Sequence, residues 1–313
     1  MMLKRMFLGG AAALITVSMT LVGCSTKTES NAEPKTQAES IPVGELFNYE
    51  VIGVEPGAGV HRSTEQAFKD YNLSDWKLTE SSSAAMVASV KKATEKEIPI
   101  VVTAWVPHWM IEKYNLKFLD DPKGTFGKPE DLHTVTRLGF KEDLPNAYKL
   151  LQQFKWKLDD LGKVMSMIEE GMDPAAAAEK WMQENEDIVA NWFEGVEQGD
   201  GEEITMVHVG WQDSIADSYV AAQALKEKGY NVTLTLVDIA PAFAGVASGT
   251  ADVFVGACLP NTHGEYYNEF KDKLDMVGVN TEDLVQGLAI PRYMEDINSL
   301  EDLGKLTDQL GKQ

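Results

Sequence analysis

Cysteine is nearly absent from this chain of 313 residues, which has only Cys24 and Cys258. A fold stapled by several disulfides is therefore excluded. Basic clusters are missing too: 28 Lys and Arg stand against 49 Asp and Glu, a formal net charge of −21. No stretch beyond the first residues could neutralise a row of phosphates, so a nucleic-acid footprint is excluded. The chain carries no G-x-S-x-G, H-E-x-x-H, P-loop or G-x-G-x-x-G, the short patterns of common hydrolase, zinc-protease and nucleotide sites. Its five histidines, His61, His108, His133, His208 and His263, lack metal-ligand spacing. A mature segment long enough to cross a bilayer is lacking as well.

What is present begins with a targeting signal. Lys4 and Arg5 precede an apolar run from Leu8 to Val22, too short to span a membrane and shaped like the core of a signal peptide. It ends in Leu21-Val22-Gly23-Cys24, which resembles the lipobox of bacterial lipoproteins. That resemblance implies cleavage before Cys24 and lipid attachment to its thiol, hence a protein anchored at the extracellular face of the cell membrane. Cys258 is then left without a partner. Residues 1–23 are thus read as signal peptide, and 24–48, rich in Ser, Thr, Glu and Ala, as a flexible tether.

The remaining chain, 44% hydrophobic overall, is long enough for two domains with real cores. Ile98 to Trp105 is a nearly unbroken apolar run stopped by Val106-Pro107. Such a run suits a strand buried on both faces, and the proline ends it. Trp105 then lies at the carboxyl end of a strand, where open α/β sheets bind ligands. Around it the pattern predicts strand 51–54, helix 63–71 with a Ser63/Gln66 capping box, strand 76–79 and helix 83–95. The unit recurs later as strand 204–209, helix 213–228, strand 231–237, helix 241–248 and strand 252–258. The two copies set Trp105-Val106-Pro107-His108 against Cys258-Leu259-Pro260-Asn261, and Pro56-Gly57-Ala58-Gly59 against Gly210-Trp211-Gln212-Asp213. Two α/β lobes whose strand-end loops face each other enclose a cleft. Between the copies, helical spacing over 144–154, 159–170 and 174–197 carries Trp156, Trp181 and Trp192 as packing residues. Short segments at 133–137 and 287–291 read as connecting strands, a two-stranded hinge.

Val51 to Val60, Ser82-Ser83-Ala84-Ala85-Met86, Trp105 to Met110, Leu116 to Lys123 and Leu259-Pro260-Asn261-Thr262-His263 together resemble the glycine betaine-binding lipoproteins of ABC transporters. The resemblance runs from residue 49 to the end, in the branch with the Pro-Gly-x-Gly half first. It implies a two-lobed fold like that of type II periplasmic binding proteins, with two crossover segments. One lobe comprises 49–135 and 289–313, the other 136–288. It further implies a monomer without enzymatic activity or cofactor, delivering a methylated onium solute to permease and ATPase subunits.

The chemistry of such a solute accounts for the residue types. A quaternary ammonium donates no hydrogen bond and is held by the negative faces of aromatic rings. The resemblance assigns this role to Trp105 and Trp211. It assigns a carboxylate of the ligand to the backbone N–H groups of Gly59 and Val60 and to the side chain of His263. One position departs from the pattern: the family's third cage tryptophan is Cys258 here. Phe254, Phe243 and Tyr266 are candidates to close that wall, and a wall left open admits a weaker-bound betaine or a bulkier or sulfonium ligand. Choline, carnitine and dimethylsulfoniopropionate therefore stand beside glycine betaine as ligands. Two other classes stay open at this point. Cys258 and His263 could form the thiolate–imidazole pair of a hydrolase, although no orienting Asn or Asp is evident by spacing. A lipoprotein presenting its ligand to a sensor would share the same fold.

Overall fold

The computed structural model describes residues 40–311; the expected signal sequence, Cys24 and most of the expected tether lie outside them. The folded part starts earlier than a tether over 24–48 implies. Val43 and Phe47 are buried, and the Val43 amide donates to the Lys305 carbonyl at 2.9 Å. The described residues form one compact unit.

Nine strands build the α/β core: β1 (Glu50–Ile52), β2 (Lys77–Thr79), β3 (Val101–Val106), β4 (Leu116–Phe118), β5 (Glu130–Arg137), β6 (Glu203–His208), β7 (Asn231–Leu236), β8 (Val253–Leu259) and β9 (Leu274–Pro291). They follow one another in the order β2-β1-β3-β9-β5-β8-β6-β7, with β4 also on β9. In the first half, β1 pairs in parallel with β2 and β3; in the second, β6 pairs in parallel with β7 and β8. Each parallel trio is closed by antiparallel strands, β9 on β3 and β5 on β8. The expected repeat is thus present twice, and the fold is the two-lobed, type II periplasmic-binding-protein-like class. All seven residues of β8 and the first four of β3 are buried, as their β-branched, apolar sequences require of strands covered on both faces.

Three local expectations are revised. The helix expected over 63–71 runs Gly59–Asp70 and starts at an Ala58 cap, with no side-chain hydrogen bond there. The Ser63/Gln66 box therefore falls inside the helix. The long helix over 174–197 is two, Pro174–Glu184 and Glu186–Phe193. Asn185 separates them by turning its side-chain amide back onto the Trp181 carbonyl at 2.7 Å, a local bond that competes with helix continuation. The connecting segment at 287–291 is the end of an 18-residue strand. β9 pairs with β5 through Leu274 to Leu284, then with β3 from Val285 to Ala289, so one strand runs through both halves. The helical block packs as expected, with the Trp181 and Trp192 rings stacked at 5.7 Å and Trp156 edge-on to Trp181 at 5.1 Å.

Candidate functional site

Both halves direct their strand ends and helix starts toward one cavity of about 60 Å³. At roughly 10–15 Å³ per water-sized occupant, it takes several such occupants and so a compact solute. Trp105 reaches it from β3, Cys258 from β8, Trp211 from the loop after β6, and Gly59 and Val60 from the first turn of their helix. His263 arrives from the loop after β8. All six residues singled out in the sequence line this space.

The tryptophan faces are braced by imidazoles. His108, buried, meets the Trp105 ring edge-on at 4.8 Å, and His263 stacks on Trp211 at 5.5 Å with 17° between planes. Burial lowers the pKa of His108 to about 3, so it braces the ring as a neutral group. His263 is likewise lowered to about 3, first by burial and then by the charge of Arg62, with the Gly256 carbonyl pulling weakly the other way. Its Nδ1 lies 2.9 Å from the Cys258 backbone N–H. An N–H can only donate, so Nδ1 is the acceptor and the ring proton sits on Nε2. That Nε2–H is buried and has no partner. A buried unpaired donor is costly without an acceptor; a carboxylate oxygen in the cavity would satisfy it.

The glycines of the first half have two different reasons. Gly57 has φ +99°, a left-handed conformation that side-chain-bearing residues rarely adopt. Gly59 is set by a close approach: a Cβ there would lie 2.6 Å from the Thr262 carbonyl oxygen and 2.8 Å from its Cα. The neighbour that forbids a side chain is thus the loop of the other half. Because the helix begins at Gly59, the amides of Gly59 and Val60 have no carbonyl one turn earlier to bond. Arg62 ties the same loops together, donating to the Gly57 and Thr262 carbonyls at 2.7 Å each.

Cys258 lies on the cavity wall, but none of the three aromatics considered as replacements reaches it. Phe243 and Phe254 are fully buried in the core, 5.5 Å apart and edge-on. Tyr266 stacks on Phe243 and donates its hydroxyl to the Gly57 carbonyl at 3.1 Å. The wall around Cys258 is instead formed by Glu130, Leu132 and Leu284. Glu130 is buried and accepts from the Asn261 and Thr262 amides and from the Thr262 hydroxyl. The setting of the thiol works against a nucleophilic role. Burial, reinforced by the Glu130 carboxylate, raises its pKa, and thiolate is the reactive form. His263 bonds the Cys258 backbone, not its sulfur.

Two acidic residues at the cavity escaped sequence reasoning. Glu130 opens β5, ahead of the 133–137 segment that reads as strand. Asp213 follows Trp211 by two residues at the start of the helix Gln212–Glu227, where acidic residues are routine. Asp213 is buried, and its Oδ1 has no donor. Burial raises its pKa to about 6, opposed by its own and Ser214's backbone N–H groups and by the Trp105 indole.

Comparison with known proteins gives the lineage. A family described as the substrate-binding domain of the ABC-type glycine betaine transport system matches residues 29–184 and 202–313. The glycine betaine/carnitine transport binding protein GbuC of Listeria monocytogenes is 44% identical over 304 residues, covering 96% of this chain and 99% of that protein. Among solved structures, lactococcal OpuAC in its closed form with glycine betaine is 41% identical, with a TM-score of 0.43 over 47% of this chain and 58% of that one. A glycine betaine/L-proline-binding protein from Borrelia burgdorferi is 35% identical, with a TM-score of 0.45 over 48% of this chain and 57% of that one. Both structural matches span less than two thirds of the solved chain. The chain belongs to the family of substrate-binding domains of ABC-type glycine betaine transport systems.

Proposed function

We propose that this protein captures glycine betaine, or a related quaternary ammonium or sulfonium osmoprotectant, outside the cell for import. The reading rests on one observation above the others: the neutral His263 ring, which carries a buried and unpaired N–H, lines the same cavity as two indoles. The cationic head lies between Trp105 and Trp211, and a carboxylate, where present, takes the amides of Gly59 and Val60 and the His263 Nε2–H. A donor-free cation and an acceptor-only anion are the two ends of a betaine. Cys258 contributes a small wall, which leaves room for variation in the onium group, so carnitine, choline and dimethylsulfoniopropionate are the compounds to compare.

The two lobes, 49–135 with 289–313 and 136–288, close on the ligand by bending through β5 and β9. Since its contacts come from both, the ligand favours the closed state by differential binding. The closed form then docks as a monomer on permease subunits driven by their ATPases. Lipid on Cys24 holds the protein at the extracellular face. Catalysis has no part, and no cofactor is involved.

A thermal-shift panel tests this directly, because a ligand that binds only the native state raises its melting temperature. Glycine betaine and at least one related onium compound should raise it in proportion to concentration. If every methylated onium compound leaves it unchanged, the assignment fails.

A further inference from the structure

The two cavity tryptophans share a feature unrelated to their faces. Trp211, in the second half, donates its indole N–H to the carboxylate of Glu55, just after β1 in the first half. Trp105, in the first half, has a buried indole N–H with no partner, and Asp213, in the second, has a buried carboxylate oxygen with no donor. Both line the same cavity, and the indole is near enough to draw the carboxyl's pKa down. Each ring is thus matched with a carboxylate borne by the opposite half. Nearby, Trp109 repeats the arrangement with an amide, donating to the Gln212 side chain across the same divide.

We infer that Glu55 and Asp213 are positioning residues of the onium site: Glu55 through an indole contact already formed, Asp213 through one completed as ligand draws the halves together. The inference rests on the reading of the cavity as an onium cage. A carboxylate at the N–H end of an indole fixes the ring's rotation, so that its face meets the cation. It also pushes electron density into the ring and strengthens the attraction of that face. Because donor and acceptor sit on different halves, the oriented ring exists only when the halves meet. Ligand and closure therefore stabilise one another.

The arrangement also selects a ligand class. A carboxylate occupied by an indole has less capacity to accept from a protonated amine. A fully methylated head needs no acceptor, whereas a primary or secondary ammonium of similar shape would leave its N–H groups unpaired. The site is built to prefer permanently methylated cations.

The pH dependence follows from Asp213. Ionised above about pH 6, it is a strong acceptor for the indole of the closed state; protonated below, it is a weaker one. The groups facing it are Asp217 one turn along its helix, Glu130 from β5, Cys258 from β8 and His263. His263 is already neutral across this range and Cys258 remains a thiol; Glu130 is held by Asn261 and Thr262.

The test is calorimetric titration of the mature protein with glycine betaine, dimethylglycine and choline between pH 5 and pH 8. Glu55→Ala should weaken glycine betaine about tenfold, the effect of one charge-assisted hydrogen bond, and shift the tryptophan emission. Glu55→Gln, which keeps an acceptor, should recover most of both. Wild-type affinity for glycine betaine should fall as pH drops below 6, and Asp213→Asn should flatten that profile while narrowing the preference over dimethylglycine. Glu55→Ala binding like the wild type, or Asp213→Asn retaining the wild-type pH profile, overturns the inference. Failure of the cage itself would look different: the wild type would bind no onium compound at all.

Discussion

The same loop occurs once in each half, and the two copies present opposite charge to the cavity. In the first, Pro56-Gly57-Ala58-Gly59 delivers a helix whose opening amides, at Gly59 and Val60, are free to meet an anion. In the second, Gly210-Trp211-Gln212-Asp213 delivers a helix whose opening amides already serve the carboxylate of Asp213. One helix start receives negative charge; the other carries it. A repeated unit, otherwise alike in strand order, thereby acquires opposite polarity at its two helix starts, with the free amides of Gly59 and Val60 on one side and the carboxylate of Asp213 on the other. The difference lies in which residue occupies the helix start, not in the backbone.

The largest break of this asymmetry is at Gly59. A methyl group there overlaps the Thr262 backbone of the other half, so Gly59→Ala should hold the halves apart. Affinity should drop about a hundredfold, the effect of roughly 3 kcal/mol of overlap. Small-angle scattering should show that saturating ligand no longer compacts the molecule. Full compaction with wild-type affinity would mean that the two loops do not need this contact.

The opposite helix start is tested by stability rather than binding. A carboxyl whose pKa is raised from 3.8 to about 6 withholds about 3 kcal/mol from the fold at neutral pH. The sign follows from proton counts: between these values the native state binds more protons than the unfolded chain, so stability falls as pH rises through that window. Ligand-free Asp213→Asn should therefore be more stable than the wild type at pH 7.5, by about 2–3 kcal/mol, with the gap closing by about pH 4. Urea unfolding at the two pH values measures it. A destabilised variant at pH 7.5 would mean that Asp213 supports the fold instead of straining it.

Next come the rings. Trp105 and Trp211 face one cavity from opposite halves, each braced by an imidazole. Trp211→Ala and Trp105→Ala should each weaken betaine binding by about 2 kcal/mol, or thirtyfold, leaving the far-ultraviolet spectrum unchanged. Equal losses would mean the halves grip the cation evenly. A loss confined to one variant would assign the cation to that half alone.

Much of this was legible in the chain because it is written in local patterns. The β-branched runs of β3 and β8, each stopped by x-Pro, marked the strand ends, and the alignment of the two copies marked the loops of Gly57, Gly59 and Trp211 that meet at the cavity, whereas His263 was marked by the family resemblance alone. What escaped notice depends on distant partners. β9 has Asn280, Thr281, Glu282 and Asp283 in mid-strand, which breaks any apolar alternation. They fit because Asn280 is bonded to Thr134 and the Val255 carbonyl, residues far away in sequence. Glu130 and Asp213 look like ordinary surface acids until the fold buries them, and Glu55 acquires its meaning only from an indole in the other half.

The smallest expected effect concerns the position where the copies differ most plainly, Trp105 against Cys258. If the aligned strand ends are equivalent walls, Cys258→Trp adds a third ring and should tighten glycine betaine about tenfold, somewhat less than one desolvated cation–π contact because Leu132, Leu284 and Glu130 must make room. The same indole would consume the space that a small thiol leaves, so carnitine, which is longer, should weaken as glycine betaine tightens. Calorimetry with both ligands reads the two changes together. Opposite shifts identify Cys258 as the wall that sets which onium fits. If the variant binds neither, the thiol belongs to the packing around Glu130, and the two strand ends are equivalent in backbone alone.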